Sequence, residues 1–241
     1  MQLYFIRHAQ SENNLLWDTN GSGDGRSEDP GLTSAGVNQI KFLADYLSQN
    51  GQIPNRIPRK DYHNRYGFNF THLYTSPMVR AVETGYAVSK KINIPLTLWV
   101  DLHESGGVYL DTVDGKTIDL AGKNKSYFRE KFPGIIMDPL ITNKGWWNKP
   151  FEESSDRSDR AKRVISKLLN NHSADDVIGL FSHGSFFNYF LAALSNQKKS
   201  DSTWVELNNV GITRIDLNNE YEKINIVYVN KADFLPDELI T

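Results

Sequence analysis

Leu3-Tyr4-Phe5-Ile6-Arg7-His8-Ala9-Gln10-Ser11-Glu12 opens as an apolar run of β-formers and closes in a cation, an imidazole and small polar residues. A strand covered on both faces reads as a continuous apolar run, and in an open α/β sheet it delivers side chains just past its C-terminal end. Taken alone, Arg7-His8 is either a charged turn or an anion site beside a nucleophile or base. Distant segments decide between the two.

The strongest echo is Val177-Ile178-Gly179-Leu180-Phe181-Ser182, which runs into His183-Gly184-Ser185. Strand, histidine and small-residue turn recur in the same order. Between the two runs, His72-Leu73-Tyr74-Thr75 reads as a short strand. Ser76 at an N-cap and Pro77 at the first helical position then predict a helix with Arg80 in its first turn. A cation there opposes the helix dipole, so Arg80 either reaches solvent or serves an anion. A further strand over 95–100 ends in Asp101-Leu102-His103-Glu104. Strands over 211–217 and 224–230 complete the sheet.

Helical periodicity fills the gaps. Thr33 stands as N-cap to a helix carrying Val37, Ile40, Leu43, Ala44 and Leu47, closed by Asn50-Gly51. Ala161, Val164, Ile165, Leu168 and Leu169 form the stripe of a helix over 158–170, and another spans 186–194. The polar stretch 18–30 reads as a mobile surface loop. In the tail, Phe234 and Leu235 are docking residues. Strands alternating with helices predict an α/β fold.

The chain has 241 residues, and a single domain over 1–241 is expected, with insertions at about 52–70 and 108–150. It has 27 Lys and Arg against 29 Asp and Glu, a net charge of −2, which gives no general attraction for nucleic acid or an anionic membrane. The absence of cysteine excludes disulfides, thiolate catalysis and Cys-ligated zinc. No apolar run approaches the roughly 20 residues of a membrane span, and no leader pattern precedes the first strand. A cytoplasmic location is therefore the expectation.

Arg7-His8, Arg80, Glu104 and His183 all follow strand ends, and C-terminal strand ends of a parallel sheet converge on one crevice. Two arginines and one imidazole suit the oxygens of a phosphoryl group, with the other histidine attacking phosphorus and an acid protonating the leaving oxygen. An open metal site with His8, His183 and Glu104 as ligands is the competing chemistry, and two arginines beside a dication argue against it.

The insertions differ in setting. Residues 52–70 join a helix to a strand, so they belong at the N-terminal edge of the sheet. Arg56, Arg59, Lys60 and Arg65 lie there among Tyr62, Tyr66, Phe68 and Phe70, a pattern that packing or a subunit contact explains without nucleic acid. A homo-oligomer is thus left open. Residues 108–150 leave a strand end and belong over the crevice, where a substrate-selecting cap would lie.

Arg7-His8-Ala9-Gln10-Ser11, with Asn14 six residues after the histidine, resembles the signature of the histidine phosphatase superfamily (branch 1), the phosphoglycerate-mutase-like proteins. The resemblance continues through Leu32-Thr33-x-x-Gly36, Thr75-Ser76-Pro77 with Arg80, Leu102-x-Glu104, Ser182-His183-Gly184 and Asn209-x-x-Ile212-Thr213, across nearly the whole chain. Ala9 stands where glycine is common. The resemblance implies a three-layer α/β/α fold with a mixed, mostly parallel central sheet. It implies His8 as the phosphorylated residue, and Arg7, Arg80, His183 and Asn14 as the phosphate pocket. Glu104 becomes the proton donor and then the base for water. No metal or organic cofactor is implied, and the expected partner is a small phosphorylated metabolite. Within this chemistry a phosphatase on a phosphate monoester leads, a mutase-type phosphotransferase is the alternative, and a non-catalytic phosphate-binding domain is a third reading.

Overall fold

A computed structural model describes residues 1–49, 61–112, 116–197, 199–200, 202–218 and 223–241. The opening run forms β1 (Gln2–Arg7), and the other strands are β2 (His72–Thr75), β3 (Leu96–Leu98), β4 (Tyr109–Asp111), β5 (Thr117–Asp119), β6 (Val177–Ser182), β7 (Ile212–Asn218) and β8 (Lys223–Lys231). Six of them make one sheet in the order β3-β2-β6-β1-β7-β8. β3, β2, β6 and β1 are parallel, β7 pairs antiparallel with β1, and β8 pairs antiparallel with β7. β1 and β6 lie side by side with Arg7 opposite Ser182, so His8 and His183 leave the sheet as neighbours.

The helices are α1 (Glu12–Asn20), α2 (Ser34–Leu47), α3 (Val79–Ile92), α4 (Lys125–Lys131), α5 (Ser154–Asn171) and α6 (Gly184–Leu194). Alternation along β1 explains the three layers. Leu3 and Phe5 face a core shared with Ala161, Val164 and Leu168 of α5 and Phe186, Phe187 and Phe190 of α6. Tyr4 and Ile6 face the other core, with Leu43, Ala44 and Leu47 of α2 and Val88 of α3. The sheet is mixed and mostly parallel, as expected. Leu235 is buried in the second core and Phe234 packs against it.

Several local readings change. The stretch 18–30 is not one loop: Asp18 to Asn20 close α1, whose N-cap Ser11 forms a reciprocal capping box with Asn14. Asp29 and Pro30 are buried. α2 is capped by Thr33 as expected and ends at Leu47, whereas Asn50-Gly51 lie outside the described residues. α3 starts at Val79 with Met78 as N-cap, two residues later than Ser76-Pro77 predict. The reason is tertiary: Asp29 Oδ1 accepts from Val79 N at 2.9 Å, so a distant carboxylate caps this helix. The strand over 95–100 is shortened to β3, because Val100–Leu102 turn into a 3₁₀ helix. α5 and α6 begin earlier than their apolar stripes suggest.

Of the 52–70 insertion, Arg56, Arg59 and Lys60 lie outside the described residues. Phe68 and Phe70 pack edge-on against Tyr4, each at 5.3 Å, and Asp61 O accepts from Arg214 at 2.7 Å. Thr71 then pairs with Val177, at the start of β6 and away from the strand ends that carry the histidines. The 108–150 insertion divides by function. Val108, Phe128, Phe132, Ile141, Trp146 and Trp147 form a third buried cluster beside β3 with Leu98 and Val100. Among its described residues, those lining the crevice are Tyr109 to Thr112 of its first hairpin.

Candidate active site

His8 is held by its backbone on every side. Its N donates to Ser182 O at 2.9 Å, and its O accepts from Asn209 Nδ2 at 2.9 Å. Ala9 N donates to Thr84 Oγ1 at 3.0 Å, and Gln10 N to Gln39 Oε1 at 2.7 Å. The ring is 3% exposed. Its Nδ1 lies 2.7 Å from Ala9 O. A carbonyl only accepts, so Nδ1 carries the proton and Nε2 carries the lone pair. Arg80 Nε donates to that Nε2 at 3.1 Å. Burial, with Arg80 and Arg7 adding to it, holds the imidazole well below its ordinary 6.5. His8 is a neutral base, lone pair forward, beside two guanidiniums.

Arg80 extends from the first turn of α3. Its Nη1 lies 3.9 Å from Asp29 Oδ1, and its Nη2 donates to Met78 Sδ at 3.2 Å. Burial pushes the Asp29 carboxyl up to about 6 against the pull of Arg80 and of Val79 N–H. Arg7 donates through Nη1 to Leu207 O, while its buried Nε has no protein partner. His183 is fully buried, and its ring centroid is 5.0 Å from that of His8. Its Nε2 bonds Ser76 Oγ at 2.8 Å, and its Nδ1 has no protein partner. Burial first, then Arg80, holds His183 well below 6.5. Ser76, expected as a helix cap, thus orients this histidine.

Glu104 caps α6. Its Oε1 accepts from Ser105 N at 2.7 Å and Phe186 N at 2.9 Å, and Oε2 accepts from Ser185 N at 3.2 Å. Behind it, Arg160 on α5 grips the carbonyls of Asp101 and His103, each at 2.8 Å, and forks onto Glu152 at 2.6 and 2.7 Å. Asn14 Oδ1 accepts from Ser11 N, Ser11 Oγ and Asn209 Nδ2, and Asn14 lines the cavity.

Arg7, His8, Asn14, Arg80 and Glu104 all line one cavity of 1170 Å³, and His183 stands directly behind His8. All six predicted site residues are therefore brought together. Sequence reasoning gave no role to four others. Asp29 backs Arg80, Thr84 and Asn209 hold the His8 backbone, and Arg26 sits over Tyr109 at 4.4 Å on the cavity wall. Asn209 was visible as a motif residue, but nothing in the local pattern marks Asp29 or Arg26. Tyr109 to Thr112 also line the cavity, so the insertion does reach the site through its first hairpin. Chemically, the cavity offers a neutral imidazole lone pair, several N–H donors suited to a tetrahedral oxyanion, and a carboxyl group on the facing side.

Residues 63–230 match the model of the histidine phosphatase superfamily (branch 1). That span includes Arg80, Glu104 and His183, and it begins after Arg7-His8. No curated protein sequence matches the chain. Among solved structures, it resembles phosphoserine phosphatase from Entamoeba histolytica in complex with 3-phosphoglyceric acid, at 18% identity and TM-score 0.60, covering 98% of this chain and 99% of that one. It also resembles mycobacterial glucosyl-3-phosphoglycerate phosphatase complexed with VO3, at 15% identity and TM-score 0.61, covering 96% and 99%. A third is the alpha-ribazole phosphatase from Shigella flexneri, at 16% identity and TM-score 0.58, covering 96% of each chain. At these identities the likeness is one of fold. Among the described residues no helix is long and apolar enough to cross a membrane.

Proposed function

The chain belongs to the histidine phosphatase superfamily (branch 1), and from that premise we propose that it hydrolyses a small phosphate monoester through a phosphohistidine on His8. The observation that carries this reading is the His8 ring: buried, protonated on Nδ1, with Nε2 facing Arg80 Nε at 3.1 Å. Nε2 attacks phosphorus as the ester P–O bond breaks, and the leaving alkoxide takes a proton from Glu104. Arg7, Arg80, His183 and Asn14 hold the non-bridging oxygens. The orphan Nε of Arg7 and Nδ1 of His183 are suited to that role, because a bound phosphate supplies the partners they lack. Water then attacks the phosphohistidine, Glu104 takes its proton, and the P–N bond breaks to return neutral His8 and phosphate. Every step balances without a metal ion.

The form of the cavity supports hydrolysis over transfer to a second alcohol. At 1170 Å³ it far exceeds a phosphate, and exposed Trp17 and Trp204 stand on its wall, an open setting that supports access of water to the phosphohistidine. The test is a panel of sugar phosphates, nucleotides, phosphoamino acids and phosphoglycerates, with rapid-quench trapping of the phosphoenzyme. An acid-labile, base-stable phosphoenzyme is expected on the best substrate, and His8→Ala should abolish it and lower kcat at least roughly 10³-fold. Undiminished turnover by His8→Ala removes the reading.

A further inference from the structure

At the end of the sheet opposite His8, three potential ligands converge from three elements. His72 begins β2, His172 caps the C-terminus of α5, and Asp176 immediately precedes β6. One ligand atom from each lies within 4.8 Å of the other two. His172 Nδ1 is 3.0 Å from Asp176 Oδ2, and His72 Nδ1 is 4.0 Å from Asp176 Oδ1. The two rings meet edge to face at 4.6 Å and 76°. Tetrahedral zinc holds N and O ligands at about 2.0–2.2 Å, which sets them about 3.3–3.6 Å apart. The two His–Asp separations, to Oδ2 and to Oδ1 of one carboxylate, lie on either side of that value, and all three ligand atoms lie within 4.8 Å, so His72 closes by about 1 Å to bind.

The surroundings resemble the outer shell of a metal site. Tyr74 OH lies 3.1 Å from His172 Nε2, and His172 Nδ1–H donates to Asp176 Oδ2; a cation at Nδ1 takes the place of that proton, and Nε2–H then donates to the phenol. Ser173 N donates to Asp176 Oδ2 at 2.9 Å, which orients the carboxylate. The His172 side chain is 4% exposed and fixed, while that of His72 is 43% exposed and free to close on an ion arriving from solvent. Thr71 Oγ1, 2.9 Å from His72 Nδ1, also bonds both N and O of Val177, so it loses little when His72 turns away.

We propose that His72, His172 and Asp176 form a binding site for a borderline divalent cation of the zinc type, with water as the fourth ligand. Two imidazoles and one carboxylate select such an ion over Mg²⁺ or Ca²⁺, which take oxygen ligands. The site is structural: it ties the end of α5 to the starts of β2 and β6, on the edge remote from the phosphate cavity.

The test uses the whole chain, stripped of metal and titrated with Zn²⁺ by calorimetry and by equilibrium dialysis with metal analysis. One saturable equivalent is expected. At free zinc 100 times Kd the melting temperature should rise by roughly 5–10 °C, with no such rise in Mg²⁺ or Ca²⁺. His72→Ala, at an exposed position, should fold normally and weaken zinc at least about tenfold, and Asp176→Asn should do the same. The absence of saturable zinc binding overturns the proposal. So does binding that survives His72→Ala and Asp176→Asn but is lost in His8→Ala, which would put the ion in the phosphate cavity.

Discussion

Replacing Arg160 with alanine tests whether the Glu104 loop rests on a buried ion pair. Arg160 is 1% exposed, and its partner Glu152 is 7% exposed. Its guanidinium forks onto the Glu152 carboxylate at 2.6 and 2.7 Å and donates to two backbone carbonyls at 2.8 Å each. It also lies 4.2 Å from the centre of the Phe186 ring. Removing it strands a buried carboxylate, and breaking such a pair costs about 3–5 kcal/mol. The orphaned carbonyls of Asp101 and His103 would add about 1 kcal/mol or more each if they stayed dry. Water entering the space left by so large a side chain offsets that addition, so about 3–5 kcal/mol is the expected loss. For a chain of this length it lowers the melting temperature by roughly 6–20 °C. Urea titration is the assay, with the midpoint falling at unchanged m. A double variant, Arg160→Ala with Glu152→Ala, should lose less than the two singles summed, by at least about 2 kcal/mol, because the stranded charge is gone. The gripped carbonyls belong to Asp101 and to His103, the residue before Glu104, so kcat of the folded variant should fall about 10- to 100-fold. A loss below about 1 kcal/mol, or a double variant equal to the sum, would refute the reasoning.

Acid should destabilise the protein well before its carboxylates titrate. His8, His103 and His183 are buried, and burial holds each well below 6.5, so below that pH the unfolded chain binds protons that the folded chain refuses. Each removes up to about 1.4 kcal/mol per pH unit as pH falls. Asp29 acts in the opposite sense between about 6 and 3.8, since the folded state takes its proton first, but it is one group against three. Urea unfolding at pH 7.5, 6.5 and 5.5 checks the slope, and His103→Gln should remove about a third of it; a flat profile contradicts the assignment. Gly36→Ala should also be costly. A methyl group there overlaps the carbonyl of Gln10, backbone that cannot yield without moving the His8 turn. Overpacking of this kind costs about 1–3 kcal/mol, read as a lower urea midpoint, and activity should fall with it.

The legible parts of the fold are those whose signal is local. An apolar run ending in Arg7-His8 reads as a buried strand because four neighbours in a row need cover on both faces. The stripe on α5 and the Thr33 cap are read from positions three or four residues apart. α1 was missed because it buries no residue, so no apolar period announces it. α3 was misplaced by two residues because its cap comes from Asp29, fifty residues earlier. The 108–150 segment was placed on the active side by topology alone. Its division into a cavity-lining hairpin and a tryptophan-rich packing block depends on where Trp146 and Trp147 find cover.

The sequence by itself determined the strand-end chemistry and the order of elements, since both follow from the period of apolar residues and from what stands just past each strand. Only the tertiary structure decided the tautomer of His8, the grip of Arg160 beneath Glu104, the carboxylate behind Arg80, and the meeting of His72 with His172. The last three depend on contacts between residues distant in the chain, and the first on a ring orientation that the buried turn fixes; neither leaves a period in the sequence. They are set by which side chains and backbone groups the folded sheet brings together.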